Sequence, residues 1–95
     1  MKKFLLQDDL PEFYILMYSA KWCSSCKEMK MRLENSEVPI YELDVDTTTG
    51  MDMARAHDVR SLPTYFVCQG AKHLDKKYGC VSESELKEWL SKYKK

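Results

Sequence analysis

Two cysteines with two residues between them, Cys23 and Cys26 in the stretch KWCSSCK, are the residues of this sequence best suited to chemistry. Thiols at this spacing can form a disulfide, supply half of a metal site, or exchange disulfides with another protein. Disulfide exchange needs one thiol that ionises readily and a second thiol that reaches the first sulfur. The elements that surround the pair decide which of these roles the cysteines have.

A strand followed by a helix is predicted around the pair. The short apolar run at residues 13–18 is rich in aromatic side chains and predicts a buried strand. Spacings of four, three and four residues predict one face of a helix, formed by Trp22, Cys26, Met29 and Leu33. The cysteines therefore lie where the strand ends and the helix begins.

This position predicts different properties for the two thiols. Unpaired N–H groups and a partial positive charge at a helix N-terminus favour the thiolate of Cys23. Cys26 lies one turn deeper on the buried face, where burial keeps its thiol protonated. We therefore predict that Cys23 attacks a substrate disulfide, and that Cys26 then attacks the mixed disulfide and releases the product.

The rest of the chain predicts a small α/β domain. Further strands are predicted at residues 3–6, 38–45, 65–68 and 73–78. Helices are predicted from Thr47 to the Leu62-Pro63 step, and again after the capping sequence at 82–85. The alternation of strands and helices predicts a single domain over residues 1–95, with a central mixed sheet of four or five strands and helices on both faces.

Charge and hydropathy exclude several classes of protein. Fifteen basic and fifteen acidic side chains cancel, which argues against a broad surface for nucleic acid or anionic membrane. No apolar run approaches the roughly 18 residues that span a membrane, and the N-terminus lacks the apolar stretch of a secretory signal. We therefore expect a cytoplasmic monomer that binds neither nucleic acid nor membrane, in a compartment that keeps thiols reduced.

Metal binding is the main alternative to redox chemistry for the cysteine pair. Zinc usually takes four ligands, and Cys68 and Cys80 do not form a second pair at this spacing. An iron–sulfur cluster shared by two chains is a further alternative. The position of the pair beside a predicted βαβ unit favours redox exchange, so we expect no metal. Cys68 is predicted to be a buried, unreactive thiol. Cys80 is predicted to fill a loop, and the alternative is an accessible thiol open to glutathionylation or an intermolecular disulfide.

Several stretches of the sequence, in matching order, resemble the thioredoxin family. AKWCSSCK at residues 20–27 is similar to the family's active-site motif, and LDVD at 43–46 is similar to its second core strand. VRSLPT at 59–64 resembles the loop that carries a cis-proline facing the cysteine pair, and Gly79 resembles the glycine beside the active site. The resemblance covers nearly the whole chain and implies a thioredoxin fold.

The same resemblance implies a site and an electron source. Pro63 would be cis, the Leu62 backbone would pair with a substrate segment, and Trp22, Leu62, Pro63 and Gly79 would form an apolar docking surface. The protein would reduce protein disulfides without a bound cofactor. Its electrons would come from NADPH through a flavoprotein thioredoxin reductase, and its clients would be proteins that form a disulfide.

The sequence departs from the family at three places near the site. Ser24 and Ser25 replace the usual Gly-Pro between the cysteines, which predicts a less reducing pair. Met17 stands where the family has a buried aspartate, and Glu42 stands on the neighbouring strand where a lysine is often found. We hypothesise that Glu42 supplies the missing carboxylate and accepts the proton of the resolving cysteine.

Two alternative functions remain open on the sequence alone. A glutaredoxin-like protein would take its electrons from glutathione, although glutaredoxins usually carry Pro-Tyr inside the motif and a paired glycine further on. A non-catalytic binding module would use the apolar docking surface without disulfide exchange. The intact cysteine pair argues against the second alternative.

Overall fold

The computed structural model describes residues 2–3, 11–34, 38–70 and 72–93. Strands and helices alternate along these residues in the predicted order. Their bounds are β1 Lys2–Lys3, β2 Phe13–Ser19, α1 Ser24–Leu33, β3 Ile40–Asp44, α2 Thr48–Ala56, β4 Thr64–Gln69, β5 Lys72–Tyr78 and α3 Glu83–Ser91.

The five strands form one mixed sheet in the order β1-β3-β2-β4-β5. β1, β3 and β2 run parallel, β4 is antiparallel to β2, and β5 is antiparallel to β4. The predicted α/β fold with a mixed sheet is thus confirmed. The edge strand predicted at residues 3–6 is present as the pairing of Lys2 and Lys3 with β3, and residues 4–6 lie outside the described part of the chain.

Strand β2 is the centre of the molecule because both of its faces are covered. Ile15 and Met17 contribute to a buried cluster with α1 and α3, whereas Leu16 and Tyr18 face a second cluster with α2. A strand that is buried on both faces has no need for polar residues at alternate positions. This explains why the sequence of β2 reads as a continuous apolar run.

Helix α2 is held against the end of β3 by its first turn. The Thr47 hydroxyl donates to the Asp44 carbonyl at 2.7 Å and accepts the N–H of Gly50 at 3.0 Å. A Cβ atom on Gly50 would overlap the Asp44 carbonyl oxygen, so only glycine permits this close approach. The predicted start of this helix at the threonine run is therefore confirmed.

Helix α3 is held against β5 by one carboxylate. The Trp89 indole N–H donates to Asp75 at 2.7 Å, and the Tyr93 hydroxyl donates to the same oxygen at 2.9 Å. Burial opposes ionisation of Asp75, but these hydrogen bonds outweigh it and hold the pKa of the carboxyl below its ordinary value. Ser82 caps the helix by accepting the N–H of Glu85 at 3.2 Å, as the capping sequence predicts.

Three boundary predictions are wrong. Helix α2 ends at Ala56 rather than at the Leu62-Pro63 step, and Asp58, just beyond it, has the left-handed φ of +57°. Trp22 lies before α1 rather than on its buried face and is 71% exposed, because the helix begins only after Cys23. Strand β3 covers Ile40–Asp44 rather than 38–45. In the described residues no helix is long and apolar enough to cross a membrane.

Replacing Asp75 with alanine should destabilise the fold, because the buried Trp89 indole and the half-buried Tyr93 hydroxyl lose their acceptor. We expect Asp75→Ala to lower the free energy of unfolding by about 1–3 kcal/mol at neutral pH. A carboxyl with a depressed pKa stabilises above its unfolded-state value of 3.8 and loses that contribution as the pH falls through its folded-state pKa. The difference from the unsubstituted protein should therefore shrink in acid, as measured by urea unfolding at several pH values.

Asp52→Ala is the matched control for this experiment. Asp52 lies exposed on α2, so its substitution should change the free energy of unfolding by less than about 0.5 kcal/mol. Equal effects of the two substitutions would contradict the role given to Asp75.

Candidate active site

Cys23 is the N-cap of helix α1. Its backbone is extended, with φ −92° and ψ 105°, and its sulfur accepts the backbone N–H of Cys26 at 3.2 Å. The sulfur thus occupies the place where a serine or aspartate oxygen usually caps a helix. The first turn of α1 carries no acidic side chain. The N–H donors and the helix dipole at this position favour a negatively charged sulfur.

Cys26 lies inside the core and has no exposed surface. Burial raises the pKa of its thiol to about 12, and the neighbouring Cys23 sulfur acts in the same direction. The Coulomb attraction of Lys30 opposes this rise. Both cysteines are free thiols in this structure. The deeper thiol is protected and protonated, as the sequence predicts.

The loop before β4 contains the predicted cis-proline. The Leu62-Pro63 peptide bond is cis, and the Gly79 N–H donates to the Pro63 carbonyl at 2.9 Å. Gly79 has φ +79°, a conformation that glycine adopts readily and other residues rarely do. The structure therefore joins two of the predicted docking residues at the ends of neighbouring strands.

A groove with a volume of about 320 Å³ opens beside the nucleophile candidate. Trp22 and Leu62 of the predicted docking surface line this groove together with Cys23. The other two predicted residues, Pro63 and Gly79, are not among the lining residues, and the side chain of Pro63 is fully buried. Sequence reasoning missed the remaining lining residues as members of the site. They are Val45, Ala54, Val59, Arg60 and Ser61.

Trp22 is held in an exposed position by a hydrogen bond. Its indole N–H donates to the Asp46 carboxylate at 3.0 Å, while 71% of the residue remains exposed. Asp46 lies two residues beyond the end of β3. It belongs to the LDVD stretch at 43–46, which was predicted only as a core strand. A large aromatic surface fixed beside a reactive thiol suits the docking of an apolar substrate segment.

Glu42 lies beneath α1 and contacts two polar groups. The register of β2 and β3 places Glu42 beside Met17, the residue that replaces the family's aspartate. Its carboxylate accepts the Ser19 hydroxyl at 2.7 Å and forms a salt bridge with the Lys30 ammonium. Ser19 and Lys30 are members of the site that sequence reasoning missed, since neither belongs to the quoted motifs.

The other two cysteines differ in exposure. Cys68 is fully buried, and burial raises the pKa of its thiol to about 11, although a hydrogen bond with Tyr14 opposes this. Cys80 is exposed, and its sulfur lies 3.7 Å from the Ser25 carbonyl oxygen. Cys80 therefore adjoins the active-site turn. Across the described ranges no group of three or more His, Cys, Asp or Glu side chains is arranged to hold a metal ion.

Alkylation should distinguish these two cysteines. A rise in pKa of the size given for Cys68 lowers the thiolate fraction near neutral pH by about a hundredfold. We therefore expect iodoacetamide to modify Cys80 in the native protein and Cys68 only after denaturation, as measured by mass spectrometry of the peptides. Equal native labelling of both residues would contradict the burial of Cys68, and labelling in denaturant is the control for intrinsic reactivity.

A Cys-x-x-Cys pair at the start of the helix after the central strand, beside a cis-proline loop, defines a thiol–disulfide exchange protein. The comparisons with known proteins agree. The family model described as thioredoxin matches residues 3–92. The thioredoxin of Buchnera aphidicola is 30% identical over 84 residues, which cover 82% of this chain and 76% of the relative.

Solved structures have the same fold. The germline-specific thioredoxin Deadhead of Drosophila melanogaster gives a TM-score of 0.72 at 25% identity, over 85% of this chain and 80% of that one. A mutant thioredoxin from Halobacterium salinarum gives 0.77 at 22% identity, over 88% of this chain and 76% of that one.

The chain belongs to the thioredoxin family. It is a thiol–disulfide oxidoreductase with the properties of a thioredoxin-like disulfide reductase. Proteins of this family work without a prosthetic group, and thioredoxin reductase typically reduces them before they act on disulfide-bearing clients.

Proposed function

We propose that this protein reduces protein disulfides with Cys23 as the nucleophile and Cys26 as the resolving thiol. The observation that carries the proposal is the capping hydrogen bond, in which the Cys23 sulfur accepts the Cys26 N–H at 3.2 Å. This bond stabilises an anionic sulfur on Cys23, which lines the groove although only 8% of the residue is exposed. Cys26, buried behind it, is kept from reacting with other partners.

The reaction proceeds in two exchanges. The Cys23 thiolate attacks one sulfur of the client disulfide, and the other client sulfur leaves as a thiolate. Cys26 then loses its proton and attacks the Cys23 sulfur, which forms the Cys23–Cys26 disulfide and releases the second client sulfur. Two electrons pass from the protein to the client, and the client thiolates take up the protons.

The client docks through an apolar surface and an exposed strand end. Trp22 and Leu62 line the groove, and the loop of Pro63 and Gly79 adjoins it at the ends of β4 and β5. The Leu62 backbone would pair with an extended client segment.

Electrons are supplied by NADPH through a flavoprotein thioredoxin reductase, and the protein acts as a single-domain monomer in the cytoplasm.

The two cysteines should behave differently when each is replaced by serine. Cys23→Ser should reduce the rate of insulin disulfide reduction by dithiothreitol to that of the reductant alone. Cys26→Ser retains the nucleophile but lacks the resolving thiol, so it should accumulate a stable mixed disulfide with a client. Non-reducing electrophoresis and mass spectrometry measure the adduct and the residue that carries it.

One control variant and the site of the adduct decide this experiment. Cys80→Ser should leave the rate unchanged, because the exchange uses only the pair. Adducts on Cys26 instead of Cys23 would overturn the assigned roles.

Re-reduction of the oxidised protein by glutathione alone, and not by NADPH with thioredoxin reductase, would favour a glutaredoxin-like function. A binding module would be favoured by two results together. The Cys23→Ser, Cys26→Ser variant would bind clients fully, and the unsubstituted protein would show no reductase activity.

Glu42 is the proposed proton acceptor for the resolving thiol. Met17 offers no carboxylate on β2, and Glu42 is the residue beside it on β3 with its side chain under α1. The carboxylate is only partly exposed, at 22%, so it can act on a buried group without full contact with bulk water.

Glu42→Gln retains the shape of the side chain but removes the base. We expect the resolving step to slow by about tenfold to a hundredfold and its pH profile to change. The measurement is the rate at which a preformed mixed disulfide on Cys23 releases its thiol. Glu88→Gln, a substitution on the exposed face of α3, is the matched control. An unchanged rate and pH profile in the Glu42→Gln protein would contradict the role of Glu42 as proton acceptor.

A further inference from the structure

The deeper thiol faces an unfavourable ionisation at the moment when it must attack. Cys26 is fully buried, and it must become a thiolate for the mixed disulfide to resolve. Most members of the family have a carboxylate on the strand before the motif, which helps to deprotonate the resolving cysteine. This chain has Met17 at that position. A charge of a different kind lies close to the thiol.

Lys30 is that charge. It follows Cys26 by four positions on α1, and residues at this spacing are neighbours on a helix surface, with Cβ atoms about 5–6 Å apart. Its side chain is 33% exposed, so it is partly withdrawn from water. Its Coulomb attraction favours the ionised form of the Cys26 thiol.

The Lys30 ammonium is held in place from the sheet. Glu42 forms a salt bridge with it, and the same carboxylate oxygen accepts the Ser19 hydroxyl at 2.7 Å. Ser19 ends β2 and Glu42 lies on β3, so both anchors belong to the rigid centre of the sheet. A lysine fixed in this way keeps its charge near one point, whereas a free lysine side chain would spread it over many rotamers.

We propose that Lys30 is a positioning residue of the exchange reaction, whose ammonium, anchored by Glu42 and Ser19, stabilises the Cys26 thiolate in the step that releases the client. The inference rests on the proposed function, because it requires that Cys26 is the resolving thiol. In that step the Cys26 S–H bond breaks, a Cys26–Cys23 bond forms, and the bond from Cys23 to the client sulfur breaks. The client thiolate takes up the proton in net.

Few titratable groups face the Cys26 thiol in the described part of the chain. Helix α1 contributes Lys30, and Cys23 caps the helix with its sulfur on the Cys26 N–H. Strand β3 contributes Glu42 through its salt bridge to the lysine. Strand β4 contributes Tyr65 to the same buried cluster, and burial raises its pKa to about 12, so it stays neutral near pH 7. Lys30 is therefore the cation of this set.

A two-phase thiol release tests the proposal directly. The reduced protein is mixed with dithiobis(nitrobenzoate) in a Cys80→Ser background, which removes the exposed third thiol. Attack by Cys23 releases one coloured thiol, and resolution by Cys26 releases a second in a phase that does not depend on reagent concentration. The rate of this second phase is followed as a function of pH.

Lys30→Met should slow the second phase roughly three- to tenfold near neutral pH. The apparent pKa of that phase should rise by about half a unit to one unit, because the partly exposed ammonium is partly screened. The first phase, which uses Cys23, should change little. Lys30→Arg keeps the charge and the partner of Glu42, so it should restore the rate. Lys87→Met on the exposed face of α3 removes the same charge elsewhere and should have no effect.

A double variant tests whether Glu42 acts through the lysine. In a Lys30→Met background, Glu42→Gln should slow the second phase by a smaller factor than it does alone, since the anchored charge is already absent. Equal factors in both backgrounds would overturn the anchoring.

Each failure has a distinct reading. An unchanged second phase in Lys30→Met, or a Lys30→Arg protein as slow as Lys30→Met, would overturn the proposal while the proposed function stands. Release of a single equivalent of coloured thiol by the Cys80→Ser protein would overturn the proposed function itself. Circular dichroism of each variant, with Lys30→Gln as a second neutral substitution, establishes that the slower rates come from folded protein.

Discussion

The hydrogen bond from the Cys26 N–H to the Cys23 sulfur is the interaction on which the site depends. It makes a cysteine the cap of α1, so the helix begins at Ser24 and its first turn carries the motif. One sulfur lines the groove, where helix N–H groups stabilise negative charge, and the other has no exposed surface. The different chemical roles of the Cys23 and Cys26 thiols thus follow from where helix α1 begins.

The central strand determines where that helix can lie. β2 is buried on both faces, and its end places the next residues at the edge of the sheet from which α1 departs. β4 is antiparallel to β2, so the start of β4 and the loop before it reach the same edge. The cis-proline loop, the groove and the cysteine pair therefore meet because of strand direction, not because of closeness in the sequence.

The charges beneath α1 suggest how a thioredoxin-family protein functions without the usual aspartate. The salt bridge between Lys30 and Glu42 joins the helix to β3 at the point where Met17 offers only an apolar side chain. A buried thiol is costly to ionise, and an anchored cation reduces that cost through space. A carboxylate on one strand and a cation on the helix can thus share a task that a single buried acid performs in relatives.

The sequence by itself determined the order of elements, the mixed sheet and the Cys23 and Cys26 pair, because apolar periodicity and short motifs are local properties. The cis state of Pro63 followed only from the resemblance of its loop to the family's loop. It also predicted Glu42 as a site residue from strand position. Only the tertiary structure decided that Trp22 lies outside the helix face, held by Asp46, and that Arg60 and Val45 line the groove. The pairing of Lys30 with Glu42 joins a helix to a strand, and no spacing along the chain encodes such a contact.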